Sequence, residues 1–106
     1  MTLDDIFEKL PGALNTDAAA GVNATIQFNN ARQRHVVIAD GALTVNDGEV
    51  SPYTVAITMD DDDLVKMLTG ELDGMTAFMT GKLKLDGDLM FAQRITTLFD
   101  GAQLRG

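Results

Sequence analysis

Near the start of the chain, Leu3, Ile6, Phe7, Leu10 and Leu14 return at steps of three and four, which places them on one face of a helix. Thr2 is positioned to cap that helix, and Asp4 and Asp5 fall in its first turn, where the helix dipole favours carboxylates. Pro11-Gly12 predicts an end or a kink after Leu10, because proline has no amide hydrogen and its ring crowds the preceding turn. Ala18-Ala19-Ala20 then make a short turn that closes at Gly21.

Beyond this point the period falls to two. Val22, Ala24, Ile26 and Phe28 alternate with Asn23, Thr25, Gln27 and Asn29, the signature of a strand with one buried face. Asn29-Asn30 supplies a turn, and residues 34–39 form a second strand around Val36-Val37-Ile38. Asp40-Gly41 is a hairpin signal leading into a third strand over 42–45, and residues 53–59 alternate again as a fourth. Leu64, Met67 and Leu68 lie on one face of a helix that starts among the aspartates 60–63 and stops at Gly70. Residues 74–81 read as a short helix bracketed by glycines, 82–86 as a fifth strand, and Asp88 caps a last helix bearing Phe91, Ala92, Ile95, Leu98 and Phe99. The pattern predicts one α+β domain over 1–106, in the order helix, three antiparallel strands, strand, helices, strand, helix.

Composition narrows what such a domain can do. With 106 residues, 45% of them hydrophobic, the chain can bury a core without disulfides. It has no cysteine, which removes thiolate nucleophiles and cysteine-held zinc or iron–sulfur sites. A net charge of −8, with only eight Lys and Arg, argues against nucleic acid and against stable docking on anionic membranes. No apolar run approaches the roughly 20 residues of a bilayer-spanning helix. The start, Met1-Thr2-Leu3-Asp4-Asp5, is acidic where an export signal would be basic, and Gln103-Leu104-Arg105-Gly106 is not a peroxisomal signal. The expectation is a soluble cytoplasmic protein.

The motifs that suggest chemistry dissolve on inspection. A calcium loop at 60–63 would need alternating carboxylates and a glycine where Val65 stands, so these acids read as a helix start. Six residues lie between Gly74 and Gly81 where a phosphate loop needs four, and Leu83 replaces its magnesium-binding hydroxyl. His35 is the only histidine and has no titratable partner at a motif spacing. An enzyme in its own right, built on His35, Tyr53 or an acid pair, has nothing in the spacing to support it, and Asn23-Ala24-Thr25 is a chance sequon. No cofactor is implied. From Met59 onward, by contrast, five Met and three Phe accumulate. Met is an adaptable filler of irregular apolar space, so this half of the chain suits an apolar guest as well as a core.

The run Gly74-Met75-Thr76-Ala77-Phe78-Met79-Thr80-Gly81-Lys82-Leu83-Lys84-Leu85-Asp86-Gly87-Asp88, with Leu89, Ala92 and Leu98-Phe99 after it, resembles the C-terminal signature of sterol carrier protein 2 (SCP-2) domains. Phe7 and Leu10, the strand Thr25-Ile26-Gln27-Phe28 and the aspartate-rich start before Leu64 extend the resemblance over essentially the whole chain. The resemblance implies an α+β fold with a five-stranded, mostly antiparallel sheet covered by helices, a hydrophobic tunnel between them, and a non-catalytic carrier of a sterol, fatty acid, fatty acyl or similar apolar ligand. On matching elements the lining would come from Leu68, Leu72, Met75, Phe78, Met79, Leu83, Leu85, Ile95 and Phe99. An alternative is an accessory role, in which the domain presents a lipid or isoprenoid intermediate to a partner enzyme. Lys82 or Lys84 would be needed at the mouth if the ligand head were anionic.

Overall fold

A computed structural model describes residues 2–105. Helix α1 (Leu3–Ala13) opens with a capping box: the Thr2 hydroxyl accepts from the Asp5 amide, and the Asp5 carboxylate accepts from the Thr2 amide. Three strands follow, β1 (Ala24–Asn29), β2 (Arg34–Ala39) and β3 (Ala42–Asp47), then β4 (Val55–Thr58). Helices α2 (Asp61–Leu68) and α3 (Gly74–Met79) lead to β5 (Lys84–Gly87), and α4 (Leu89–Leu98) and α5 (Gly101–Arg105) complete the chain. The sheet order is β3-β2-β1-β4-β5. Every neighbouring pair is antiparallel except β1 with β4, which run parallel from Ile26 opposite Val55 to Asn29 opposite Thr58.

Alternation sorts the two faces of the sheet. Ile26, Phe28, Val36, Ile38, Val55 and Ile57 are buried and form one core with Ile6 and Leu10 of α1, Leu64 and Leu68 of α2, and Ile95 and Leu98 of α4. Phe7 meets Phe28 edge to face at 5.2 Å. Arg34 lies in this apolar layer yet is held on both sides of its guanidinium, stacked 4.5 Å above the Phe7 ring and paired with Asp4. On the opposite face, the Gln27 side chain is buried beneath residues 48–52, and its Oε1 accepts from the Val50 amide at 2.8 Å. That bond pins the β3–β4 connection across the sheet.

Several boundaries depart from the sequence expectation, among them β1, which starts at Ala24 and not Val22, β3, which runs on to Asp47, and α3, which ends at Met79. Helix α1 does not end at Leu10 but continues through Pro11 to Ala13. The lost amide bond is offset by burial of Ala13 and by tertiary hydrogen bonds, from the Asp100 amide to the Ala13 carbonyl and from the Asn15 amide to the Leu98 carbonyl. The last helix stops at Leu98, and Phe99 is extended and bridged to Leu14, so the expected helical Phe99 is instead a strand-like link to α5, an element the periodicity did not announce. Strands β4 and β5 are shorter than the alternating runs because pairing ends where the four-residue ladder between them ends, Val55–Gly87 to Thr58–Lys84. Asp60 does precede α2, but its side chain makes no capping bond.

Gly87 closes the sheet at its edge. Its φ is 109°, and a Cβ there would come within 2.5 Å of the Thr54 carbonyl oxygen, which already accepts from the Asp88 amide. Gly87→Ala is expected to lower unfolding stability by about 2 kcal/mol or more, read by chemical denaturation, because strain and clash coincide. The capping box gives a second expectation. Hydrogen bonds from the Thr2 backbone and hydroxyl hold the Asp5 carboxyl below its ordinary 3.8. A carboxyl whose pKa is lowered by folding contributes stability above its unfolded pKa and loses it as pH falls through the folded one. The difference in melting temperature between the wild type and Thr2→Ala should therefore be full at neutral pH and shrink below pH 3.8.

Candidate functional site

Between β4, β5 and the three helices α2, α3 and α4 the packing does not close. It leaves a cavity of about 380 Å³ lined by Ile57, Met67, Asp73, Gly74, Met75, Phe78, Leu83, Leu85, Leu89, Ala92, Gln93, Ile95 and Thr96. Period-two alternation on β4 and β5 turns Ile57 and Leu85 toward it, while the helical spacing of Ala92, Ile95 and Thr96 puts all three on its α4 wall. The floor is buried: Ile57, Met67, Leu83 and Ile95 have almost no exposed surface.

The mouth is different. Helix α3 is capped by Asp73, whose carboxylate accepts from the Thr76 amide, and only Ala77 of this helix is buried. Phe78 is 48% exposed and Met75 57%, so both belong at once to the cavity lining and to the surface. Leu89, at the start of α4, does the same from the other side. The Asp88 carboxylate caps α4 by accepting from the Phe91 amide at 2.9 Å.

Of the residues expected to line a lipid site, the structure brings Met75, Phe78, Leu83, Leu85 and Ile95 together around this cavity. Leu68 and Phe99 are buried in the main core and Leu72 is packed against that core, while Met79 points to the surface with 77% exposure. Sequence reading missed Ile57, Met67, Asp73, Gly74, Leu89, Ala92, Gln93 and Thr96. Ile57 was legible as the inward side of an alternating strand, but nothing in the sequence says that α4 leaves Gln93 and Thr96 facing this space.

Lys82 and Lys84 do not reach the apolar cavity. They border a separate open groove of about 630 Å³ on the other side of β5, together with Asn29, Asn30, Thr58 and the aspartates Asp60, Asp61 and Asp63. That groove is rimmed by charge of both signs, with Ala31 and Met59 as its apolar side chains. Among the described residues, the only polar side chains lining the apolar cavity are therefore Asp73, already engaged in capping, and the neutral Gln93 and Thr96.

The candidates for catalysis lie elsewhere. His35 is half-buried with its Nδ1 3.1 Å from the Gly48 carbonyl oxygen. The Tyr53 hydroxyl donates to the Asp86 carboxylate, and this hydrogen bond raises its pKa above the ordinary 10.0. Neither His35 nor Tyr53 lines the apolar cavity. Among the described residues, no three His, Cys, Asp or Glu side chains are grouped to hold a metal ion, and no helix is long and apolar enough to cross a membrane.

Comparison with known proteins places this architecture. The peroxisomal multifunctional enzyme A of Dictyostelium discoideum is 38% identical over 64 residues, which is 60% of this chain and 14% of that enzyme. Sterol carrier protein 2 of Arabidopsis thaliana is 30% identical over 105 residues, covering 88% of this chain and 85% of the relative. Among solved structures, the stereoselective inverting sec-alkylsulfatase Pisa1 from Pseudomonas sp. superposes with a TM-score of 0.85 at 28% identity, over 94% of this chain and 16% of that one. The chain spans 14%, 24% and 10% of the first three curated relatives it matches. The model of the SCP-2 sterol transfer family matches residues 3–100, and with a five-stranded mixed sheet in the same architecture this chain belongs to that family.

Proposed function

We propose that the protein binds and carries an apolar small molecule in the cavity between β4–β5 and α2–α4, and that the preferred guest has a neutral head. The observation that carries this reading is the cavity itself: about 380 Å³ with a buried floor of Ile57, Met67, Leu83 and Ile95 and a mouth of Met75, Phe78 and Leu89. Pockets for small ligands are concave, mostly apolar, and carry a few placed polar groups. A water in the liquid occupies about 30 Å³ and a methylene is of similar size, so the space suits roughly a dozen methylenes. Burying that many gains on the order of 10 kcal/mol at about 0.8 each. Against this stand association costs of about 4–15 kcal/mol, so net binding needs a cost near the low end, which leaves about 6 kcal/mol or a Kd of tens of micromolar.

Electrostatics sets the head. No cation lines the cavity among the described residues, and Asp73 contributes a carboxylate at its edge. A free carboxylate on the guest would be desolvated beside like charge, whereas a hydroxyl, ester or amide finds donors and acceptors in Gln93 and Thr96. A long-chain alcohol or a sterol suits this electrostatic environment better than an ionised fatty acid, with a sterol, roughly twice the size of the cavity, extending out through the Met75, Phe78 and Leu89 mouth.

A second reading is favoured by one observation, that relatives matching this chain include enzymes of which it corresponds to a small fraction. In it the domain receives or presents an apolar substrate or product for a partner enzyme. Copurification with an enzyme acting on such a molecule is the outcome that separates this role from independent carriage.

Binding of a fluorescent sterol or long-chain alcohol with a Kd on the order of tens of micromolar is expected, with the matching fatty acid weaker at neutral pH. Failure of sterols, alcohols and acids alike to bind or to raise the melting temperature would defeat the carrier reading. Two substitutions sharpen it. Phe78→Asp, at a half-exposed site, should weaken binding about tenfold while changing stability by less than about 1 kcal/mol. Ala92→Phe should fill the cavity and reduce the amount of ligand bound without loss of fold, as measured by fluorescence titration and circular dichroism.

A further inference from the structure

The chain holds six methionines but neither cysteine nor tryptophan, so thioethers are its most readily oxidised side chains. Among the described residues they fall into two groups. Met59 and Met67 are buried, and the Met67 sulfur lies under the first turn of α3, 3.7 Å from where a side chain on Gly74 would begin. Met75, Met79 and Met90 are exposed at 57%, 77% and 80%. Of these three, Met75 alone lines the apolar cavity, at its mouth with Phe78 and Leu89, while Met79 and Met90 stand outside the lining. One oxidisable side chain is therefore open to solvent and in the path of a guest at once.

Oxidation at that position changes the mouth in kind. Hydrogen peroxide gives one oxygen to the thioether: the sulfur lone pair attacks that oxygen, and the S–O bond forms as the O–O bond breaks. The departing hydroxide takes the proton left on the transferred oxygen and becomes water, so sulfur loses two electrons and the peroxide gains them. A thioether is only a weak acceptor, whereas the sulfoxide oxygen is a strong one that calls for a donor. Asp73 offers none when ionised, and its Oδ2 already accepts from the Thr76 amide and hydroxyl. The sulfoxide oxygen is left without a partner beneath an apolar guest, or it takes a donor from Gln93 or Thr96 that the head of the guest would use. Both outcomes weaken binding.

We propose that Met75 is a site of reversible sulfoxidation by hydrogen peroxide, and that its oxidation switches the cavity to a state of low affinity for apolar guests. Methionine sulfoxide reductases, which return the sulfoxide to the thioether at the expense of a thiol, reset it. The switch rests on the carrier reading, because a guest in this cavity is what it releases. Met79 and Met90 meet the same peroxide but lie outside the lining, so they are internal controls for oxidation without a change of the cavity.

The test is a hydrogen peroxide titration of the purified protein. Peptide mass spectrometry reads the oxygen added at each methionine, and fluorescence titration reads the Kd for a fluorescent long-chain alcohol. Met75, Met79 and Met90 should oxidise before Met59 and Met67, and the Kd should rise about tenfold in step with Met75. Methionine sulfoxide reductase with a thiol reductant should restore it. Met79→Leu/Met90→Leu should keep the full response to peroxide, whereas Met75→Leu, apolar and free of sulfur, should bind equally before and after treatment. Met75→Gln, which carries a polar group on a chain of similar length, should bind weakly without any peroxide while circular dichroism shows the fold intact. The switch is overturned if Met75 oxidises no faster than the buried Met59 and Met67, if its sulfoxide leaves the Kd unchanged, or if Met75→Leu still loses affinity on treatment. Failure of the untreated wild type to bind sterol, alcohol or acid defeats the carrier reading and the switch with it. Binding that peroxide does not alter defeats the switch alone.

Discussion

Because β4 lies parallel to β1, the chain cannot turn back directly after β3 and must cross the sheet to reach its place. The crossing is short and is fastened at each step. The Gly48 amide donates to the Gln33 carbonyl, the Val50 amide to Gln27, and the Thr54 amide to the Thr25 carbonyl, while the Thr54 hydroxyl receives the Thr25 amide. From this single pairing the rest follows. β4 becomes the inner neighbour of a new edge, β5 can only add outside it, and the helices entering and leaving β5 must cover an edge whose inward side is only Leu83 and Leu85. The cavity is the consequence of covering a four-residue edge strand with a six-residue helix on one side and a ten-residue helix on the other.

The parts of this plan that depend on periodicity were readable in the sequence, and those that depend on partners were not. Alternation around Ile26, Val36 and Ile57 and the three-four spacing of Leu3, Ile6, Phe7 and Leu10 identify the strands and the first helix because burial acts directly on those positions. Pro11 misleads because its cost is local while the compensating bonds come from residues 98–100, far along the chain. Phe99 misleads for the same reason: its extended backbone is set by Leu14. At the site, Met75, Phe78, Leu83, Leu85 and Ile95 announce themselves as apolar residues on elements that must face the core. Gln93 and Thr96 do not, since both are polar and exposed, and only the missing opposite wall makes them part of the lining.

The buried Arg34 shows how the fold tolerates charge where it has to. Its guanidinium is covered by Phe7 and met by Asp4, so the first turn of α1 neutralises a cation that strand alternation drives inward. The same aspartate also lies 3.8 Å from Arg32, while Arg32 pairs with Asp47 of β3. This corner is packed and compensated. The α3–α4 corner is neither, and the difference between the two ends of the molecule is where the family's role in handling apolar molecules becomes physically intelligible.

Helix α3 has six residues, fewer than a helix needs to persist by its own hydrogen bonds. What fixes it is one buried methyl, that of Ala77, whose carbonyl also receives the amides of Lys82 and Leu83. One wall of the cavity thus has little shape of its own and takes its position from whatever it rests against. In the carrier proposed above, such a wall measures the volume of a guest more than its outline. Among molecules of similar bulk the fold has small means to choose, and selectivity must come from the few polar atoms of the α4 wall or from where the guest is collected.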